Sequence, residues 1–506
     1  MTTTSSFPSA DVPIGEGSGT SGGLPPQPDS TRGFYLEATG WAIGALALAT
    51  AVVLLISTDL ILAVVLLVGI GILAGVMIRP IIASYVFLFL SPLLAGFERG
   101  AVLPVARPGE ALLLVMVAAL VLREIVRGLQ GRMGRYEITM LDITIGVMAV
   151  FASFVPLLWQ VGRGQIPELD DYLYSTVLWK YLLVFAMFRA IVKTEAHIVR
   201  SLYVMMSTGM IVGLIAILQA VNVFGVPEII SAIYGEPLQA VANNRGSATL
   251  GTSHGVADIM SFNLVVCLAF LRQGIGNRTF LLLLAPFFAF ATLASGQFSA
   301  FGGLVVAVIM AGYFRRVMAK AIGASVPSGA LMLLVMKPVV EARFANTSDN
   351  GLPSSWEARQ YNLSVYFIPR LKSGLNWLFG VRPAARLPSF EPWREFVFIE
   401  SGHIWLLWTG GVPLVAAFMW FSWVIFRTAM SLARRPGLAG AMGDIVATVY
   451  LIVFVLMTLD VHLTMRGPAD ALFPLMAMLC TPILWVGAEE LRKARLDPAP
   501  LARFLP

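Results

Sequence analysis

The chain has 506 residues, 58% of them hydrophobic and 13% charged, with a mean hydropathy of +0.80. A soluble domain is about 45–50% apolar and about 25% charged, so these values exclude an ordinary soluble protein. A bilayer-crossing helix uses about 20 apolar residues, and about fourteen such helices would consume nearly all the apolar residues present. The net charge of +6 and pI near 9.4 do not point to nucleic acid, because basic residues in a membrane protein chiefly record orientation. Cys267 and Cys480 lie in separate apolar runs and offer neither a disulfide framework nor a metal-ligand spacing. No metal or cofactor is expected.

Residues 1–40 are rich in Ser, Thr, Gly and Pro, which predicts a disordered tail. No basic segment precedes an early apolar run, so a cleavable signal peptide is not expected. From Trp41, apolar stretches run in succession at 41–58, 60–78, 80–97, 109–127, 140–161, 171–191, 200–222, 256–272, 279–295, 297–314, 321–340, 403–426, 444–462 and 468–488. The expected fold is all-α and polytopic: a transmembrane helical domain over 41–488 with about 14 spans, then a basic tail at 489–506. If the N-terminus is inside, the short inner connections hold about 16 Lys and Arg and the short outer ones about five, which predicts that both termini are cytoplasmic. Two outer connections are long. One covers 225–255. The other, 341–402, carries Trp356, Tyr361, Tyr366, Phe367, Trp377 and Trp393, an aromatic content that predicts an ordered, partly helical and functional loop.

Between Arg359 and Arg386 that loop holds Arg359, Arg370, Lys372, Arg382 and Arg386 and no acidic residue. Arginine presents a planar fork of donors that suits phosphate oxygens. The same pattern suits an interfacial helix with snorkelling arginines, Trp356, Leu363 and Phe367 forming its apolar stripe and Arg359, Asn362 and Tyr366 the adjoining face. Both readings stand. Of four histidines, His197 falls in an inner basic loop, and His254, His403 and His462 fall on the outer side. His403 opens a helix directly after the long loop, where it can take a proton from a hydroxyl or serve as an interfacial anchor. His462 lies two residues after Asp460, a spacing that on a helix points the two apart. Arg245 ends the shorter outer loop, and Gly251-Thr252-Ser253-His254-Gly255 leads into a helix whose first amides can hold an anion. Lys180 and Asp258, in or beside apolar spans, are costly there and so are functional suspects. No Walker loop, GxGxxG, HExxH or GxSxG motif stands in a suitable context.

Arg245 with Gly251-Thr252 and a helix after it resembles the R…GT(F)…N segment of the O-antigen polymerase and O-antigen ligase superfamily. Ala294-Ser295-Gly296-Gln297-Phe298-Ser299-Ala300 stands where that family often has a T-x-S-R-x-A helix start. Arg343-Phe344, Trp356-Glu357-Ala358-Arg359 and Trp377-Leu378-Phe379-Gly380-Val381-Arg382-Pro383 are similar to its RF, R…W and LFGxGP elements. Ser401-Gly402-His403 with Gly410-Gly411 is similar to its H-N-x-x-L…G helix start. The likeness covers residues 240–426. Three positions depart from it: Gln297-Phe298 replaces Ser-Arg, Arg382 replaces the second glycine of its element, and Ile404 replaces the Asn after the histidine.

The resemblance implies a metal-independent membrane glycosyltransferase without a cofactor, acting on a lipid-diphosphate-linked oligosaccharide at the outer face of a bacterial cytoplasmic membrane. It implies that Arg245 and Arg359 hold the diphosphate and that His403 is the general base, while Arg343, Arg382 and His254 are expected to make further substrate contacts. Because diphosphate is a good leaving group, the protein's tasks are to stabilise its developing charge and to activate the acceptor. A polymerase joining polysaccharide repeat units is the first expectation, with a chain-length regulator as a fitting partner. A ligase moving a finished glycan to a lipid or protein is the second. A flippase should instead carry charges along a central membrane path, and a scaffold would leave the outer arginines and His403 without a purpose.

Overall fold

A computed structural model describes residues 60–99, 106–132, 136–234, 245–315 and 354–486. The chain divides into two units, Met1–Ile70 and Gly71–Pro506. The described residues of the first, 60–70, are helical, and the second holds the other helices and the long loop. The expected tails at 1–40 and 489–506, the expected spans at 41–58 and 321–340, and Arg343 lie outside the described residues.

The protein is a mostly helical membrane protein. Among the described residues six helices are long and apolar enough to cross a bilayer: Met140–Gly162, Leu169–Ile191, Glu195–Ala220, Ser253–Gln273, Gly402–Ala433 and Gly437–Leu456. Shorter apolar helices, including Ile81–Leu94, Arg278–Ala294 and Pro468–Leu479, pack with them. Local chemistry sets several starts. The Thr139 hydroxyl and the Asp142 carboxylate cap each other's backbone N–H in a capping box, and Thr194 and Asn277 each accept from an amide of the first turn. Gly274, at φ 68°, ends Ser253–Gln273 in the left-handed conformation that glycine adopts without strain.

Burial ranks the helices. The apolar window of Ser253–Gln273 is 83% buried and that of Gly437–Leu456 is 78%, while those of the other candidate spans are 50–56% buried. The first two helices therefore form the centre, and the others keep a face such as Phe154 and Leu158, or Ile211 and Leu214, for the hydrocarbon. Small residues permit close approach: Gly209 leaves space that the Asn263 side chain fills, and Gly213 does the same for Met260 and Ala291. Buried charges are paired, as a low-dielectric interior demands. Arg189 binds Asp142 and the Thr139 hydroxyl, Arg272 binds Asp444 and the Ala433 carbonyl, and Lys180 binds Asp470 at 2.8 Å.

Several expected spans are not simple rods. The stretch 171–191 is interrupted at Thr176, between Leu169–Ser175 and Val177–Ile191. The stretch 468–488 breaks after Leu479, because Pro482 cannot continue the ladder. The stretch 444–462 stops at Leu456, and His462 falls in a separate short turn, His462–Thr464.

The long loop is built from the helix Ser354–Asn362, a π-helical turn Leu363–Phe367, the short helices Ile368–Lys372 and Asn376–Phe379, and an antiparallel pair, Arg386–Pro388 with Phe396–Phe398. The π-turn corrects the expected interfacial stripe. Its extra residue per turn rotates the next face of the helix, so Tyr366 is fully buried beside Phe367 and stacks on Phe390. Trp408 fastens the loop to the helices: its carbonyl accepts from Val381 N–H at 2.7 Å and its indole donates to the Ala384 carbonyl at 2.9 Å.

Gly402–Ala433 has 32 residues, about 48 Å if straight, well beyond a hydrocarbon core of about 30 Å. It is not straight. Gly411 has φ 64° and ψ −159°, and the bend brings the ring of His403 within 6.4 Å of Phe418. A continuous helix would separate those residues by about 22 Å. A Cβ at Gly411 would run into the carbonyl of Leu378. Gly411→Ala is therefore expected to lower stability by about 3 kcal/mol or more. Gly437→Ala, at φ 69° but with nothing within 4 Å, should cost only about 1 kcal/mol. Thermal unfolding of both variants in one detergent checks this, and equal shifts would contradict it.

Candidate functional site

The first turn of the most enclosed helix, Ser253–Gln273, carries His254, and Asp258 lies four residues later on the same face. Both meet the segment after Leu456. His462 Nδ1 lies 2.6 Å from Asp258 Oδ2, with the two side chains 0% and 1% exposed. His254 Nε2 lies 3.5 Å from Asp460 Oδ2. Because the helix has already ended, Asp460 and His462 are free of helical spacing and reach the two positions one turn apart. The expectation that Asp460 and His462 point apart assumed a helix that the chain does not form. His462 Nε2, Asp258 Oδ1 and His254 Nδ1 are buried with no hydrogen-bond partner among the described residues.

The same segment draws in the long loop. The carbonyl of Met457 accepts from Gly402 N–H at 2.7 Å, which sets Glu400 near Asp460. Glu400 Oε2 lies 3.3 Å from Arg359 Nε, and both side chains are partly exposed. Burial pushes the Glu400 carboxyl above its ordinary range, and the Arg359 guanidinium opposes that. Arg245 is half-buried, and burial together with the like charge of Arg359 lowers its pKa. A guanidinium stays protonated even so. Arg245 has no ion pair among the described residues. Two positive charges thus lie close enough to repel each other, with one partly exposed carboxylate on one of them.

The backbone just after Arg245 holds it in place. Gly246 N–H donates to the Ala294 carbonyl at 3.1 Å, and a Cβ on Gly246 would meet the Ala216 carbonyl at 2.6 Å. Gln219 Oε1 accepts from the amides of Ser247 and Ala248, at 3.0 and 2.8 Å, and so holds Ala248 at φ 47°. Gln297 donates to the hydroxyl of Ser253, next to His254. Gln297, at the position where the resemblance expects the serine of Ser-Arg, thus braces the start of the central helix.

Three expected site residues therefore come together: Arg245, Arg359 and His254. His403 does not hydrogen-bond within the described residues. Its ring lies edge-on to Phe418 and to Phe454, at 6.4 and 5.7 Å. Arg382 serves elsewhere, gripping Asp171 and Glu168 at 2.8 and 2.7 Å, while Arg386 grips Asp170. Part of the loop's positive charge is thus spent on acids of Leu169–Ser175, far away in sequence. Asp460, His462 and Glu400 join the site without a strong sequence signal, because each becomes a partner only through chain reversals. No group of three or more His, Cys, Asp or Glu among the described residues is arranged to hold a metal ion.

Burial lowers the His462 pKa and the Asp258 carboxylate more than offsets it, so His462 is raised above its ordinary 6.5. Its ion pair therefore stabilises fully below pH 6.5 and weakens as pH rises through the folded-state value. Stability of the protein should fall over that rise. Asp258→Asn should cost about 3 kcal/mol below pH 6.5 and flatten the pH dependence, as read from unfolding temperature against pH. An unchanged slope in that variant would mean that other groups carry it.

No protein-family model matches the sequence, and no curated protein matches it significantly.

Proposed function

We propose that the protein is a membrane glycosyltransferase that joins lipid-diphosphate-linked glycan units, a polysaccharide polymerase of the bacterial cytoplasmic membrane with its site on the outer face. About fourteen spans with both termini inside belong to the same proposal, as does a chain-length regulator as partner. The observation that supports it most is Arg245, without an ion pair among the described residues, close to Arg359, whose one carboxylate partner is the partly exposed Glu400, beside two acid–histidine pairs.

In the proposed step an acceptor hydroxyl oxygen attacks the anomeric carbon and the bond from that carbon to the diphosphate oxygen breaks. The electron pair leaves on the diphosphate, where Arg245 and Arg359 face the growing charge. The hydroxyl proton passes to a histidine. His254 suits that task, with Asp460 beside Nε2 to orient the ring and an unpartnered Nδ1 that is buried and must be reached by the acceptor. His403 stands at the same helix start as Glu400 but against aromatic rings, and as base it would need its imidazole to turn toward the acceptor. Arg382, bound to two acids, contributes by holding the loop in place. A transport reading draws on the enclosed Lys180–Asp470 pair, a charge inside the spans of the kind that lines a path.

Reconstitution in liposomes with one short lipid-diphosphate oligosaccharide, resolved by mass, separates these readings. A ladder of repeat-unit multiples with released lipid diphosphate is expected. Transfer to a different acceptor without a ladder would indicate a ligase, and substrate merely reaching the other leaflet would indicate a flippase. Arg245→Ala and Arg359→Ala should each lower the initial rate by about 10²-fold or more. Arg107→Ala, whose charge is already met by Glu110 at 3.5 Å, should lower it little. Loss in His254→Ala with retention in His403→Ala is the expected histidine pattern, and the reverse would return the base role to His403.

A further inference from the structure

A second cationic site lies at the other end of the helices. Glu195–Ala220 has 26 residues, about 39 Å. Near its end Gln219 braces the chain beside Arg245, and in its first turn His197 lines a cavity of about 570 Å³. The two sites are thus separated by more than a hydrocarbon core of about 30 Å. Arg79, Arg123, Arg127 and Lys193 converge on this cavity from three separate segments, and Glu124 is the one acid in its lining among the described residues.

That acid is shared. Glu124 Oε1 takes Arg127 at 2.9 Å and Arg123 at 3.3 Å. Lys193 donates to the Arg189 carbonyl at 2.7 Å, and Arg79 makes no ion pair among the described residues. Apart from Tyr136 and His197 the remaining walls are apolar, with Ile78, Ile81, Leu120 and Ile191 among them. Ile78 is 71% exposed, and the helix that supplies the two paired arginines also exposes Leu122, Ile125 and Leu129. Orientation bias alone asks only for basic residues in connections. It does not ask that they surround a cavity with a greasy wall that runs on to exposed apolar side chains.

We propose that this cavity binds the headgroup of an anionic phospholipid, its phosphate held by Arg79, Arg127 and Lys193 and its acyl chains lying along the exposed apolar face. A free phosphate would gain nothing from those walls, whereas basic pockets between spanning helices suit acidic lipids. The site is independent of the glycosyltransferase reading and needs no catalysis to be tested.

The full-length protein is reconstituted in vesicles of phosphatidylcholine and phosphatidylglycerol, extracted, and its retained lipid weighed by native mass spectrometry. Phosphatidylglycerol should be retained in preference. The double variant Arg79→Ala with Arg127→Ala should lose about fivefold in retention per arginine. Arg427→Ala with Arg434→Ala, both exposed at the same end of Gly402–Ala433, removes equal charge and should change nothing. Glu124→Gln, which frees two guanidiniums, should raise retention, so the test survives if the double variant misfolds. Equal losses in both double variants, displacement of the lipid by inorganic phosphate, or no preference over phosphatidylcholine would each overturn the proposal.

Discussion

The Asp258–His462 pair, closed off from solvent at 2.6 Å, is the constraint on which the rest of the site depends. Neither partner is tolerable alone in that surrounding, so the chain after Leu456 must turn back onto the central helix. Once it does, Asp460 faces His254, and the Met457 carbonyl captures the amide of Gly402. That contact fixes the start of Gly402–Ala433 beside the site, hence Glu400, hence Arg359. The pair thus positions His254, Glu400 and Arg359, the groups of the proposed site.

Charge satisfaction divides the arginines into two kinds. Arg189, Arg272, Arg382 and Arg386 each grip a carboxylate on another element, and their work is to tie helices or the long loop together. Arg245 and Arg79 have no ion pair among the described residues, and both stand beside further positive charge. Concentrated positive charge without a built-in counterion raises the free energy of the empty protein and lowers it again when an anion arrives. The same logic singles out Arg245 at one end of the helices and Arg79 at the other, each beside an arginine that shares its charge with one carboxylate, Arg359 with Glu400 and Arg127 with Glu124.

The bend at Gly411 shows how the loop and the membrane helices share one structure. Leu378 occupies the space that a side chain at 411 would need, and the Trp408 backbone and indole take both bonds from the loop segment 381–384. The loop is therefore not an appendage. It is packed into the bend and clipped to the acids of Leu169–Ser175, which leaves Arg359 at the opposite end of the loop for the site.

By itself the sequence determined the class of solvent and the secondary structure: apolar runs of about 20 residues require helices in a bilayer, where each backbone group must be satisfied within its own segment. It also marked Arg245, Arg359, His254 and Asp258 as expensive or poorly explained residues. It put the end of the helix at 462 where the structure has 456, and it gave no sign of the π-turn at 363–367 or the bend at 411. Each depends on a contact with a distant segment and leaves apolar composition unchanged. Pairing of Asp258 with His462, of Glu400 with Arg359 and of Arg382 with Asp171 was decided only by tertiary structure. Charge is a property of a residue and can be read along a chain, but its neutralisation is a distance between residues, and that is set by how the helices pack.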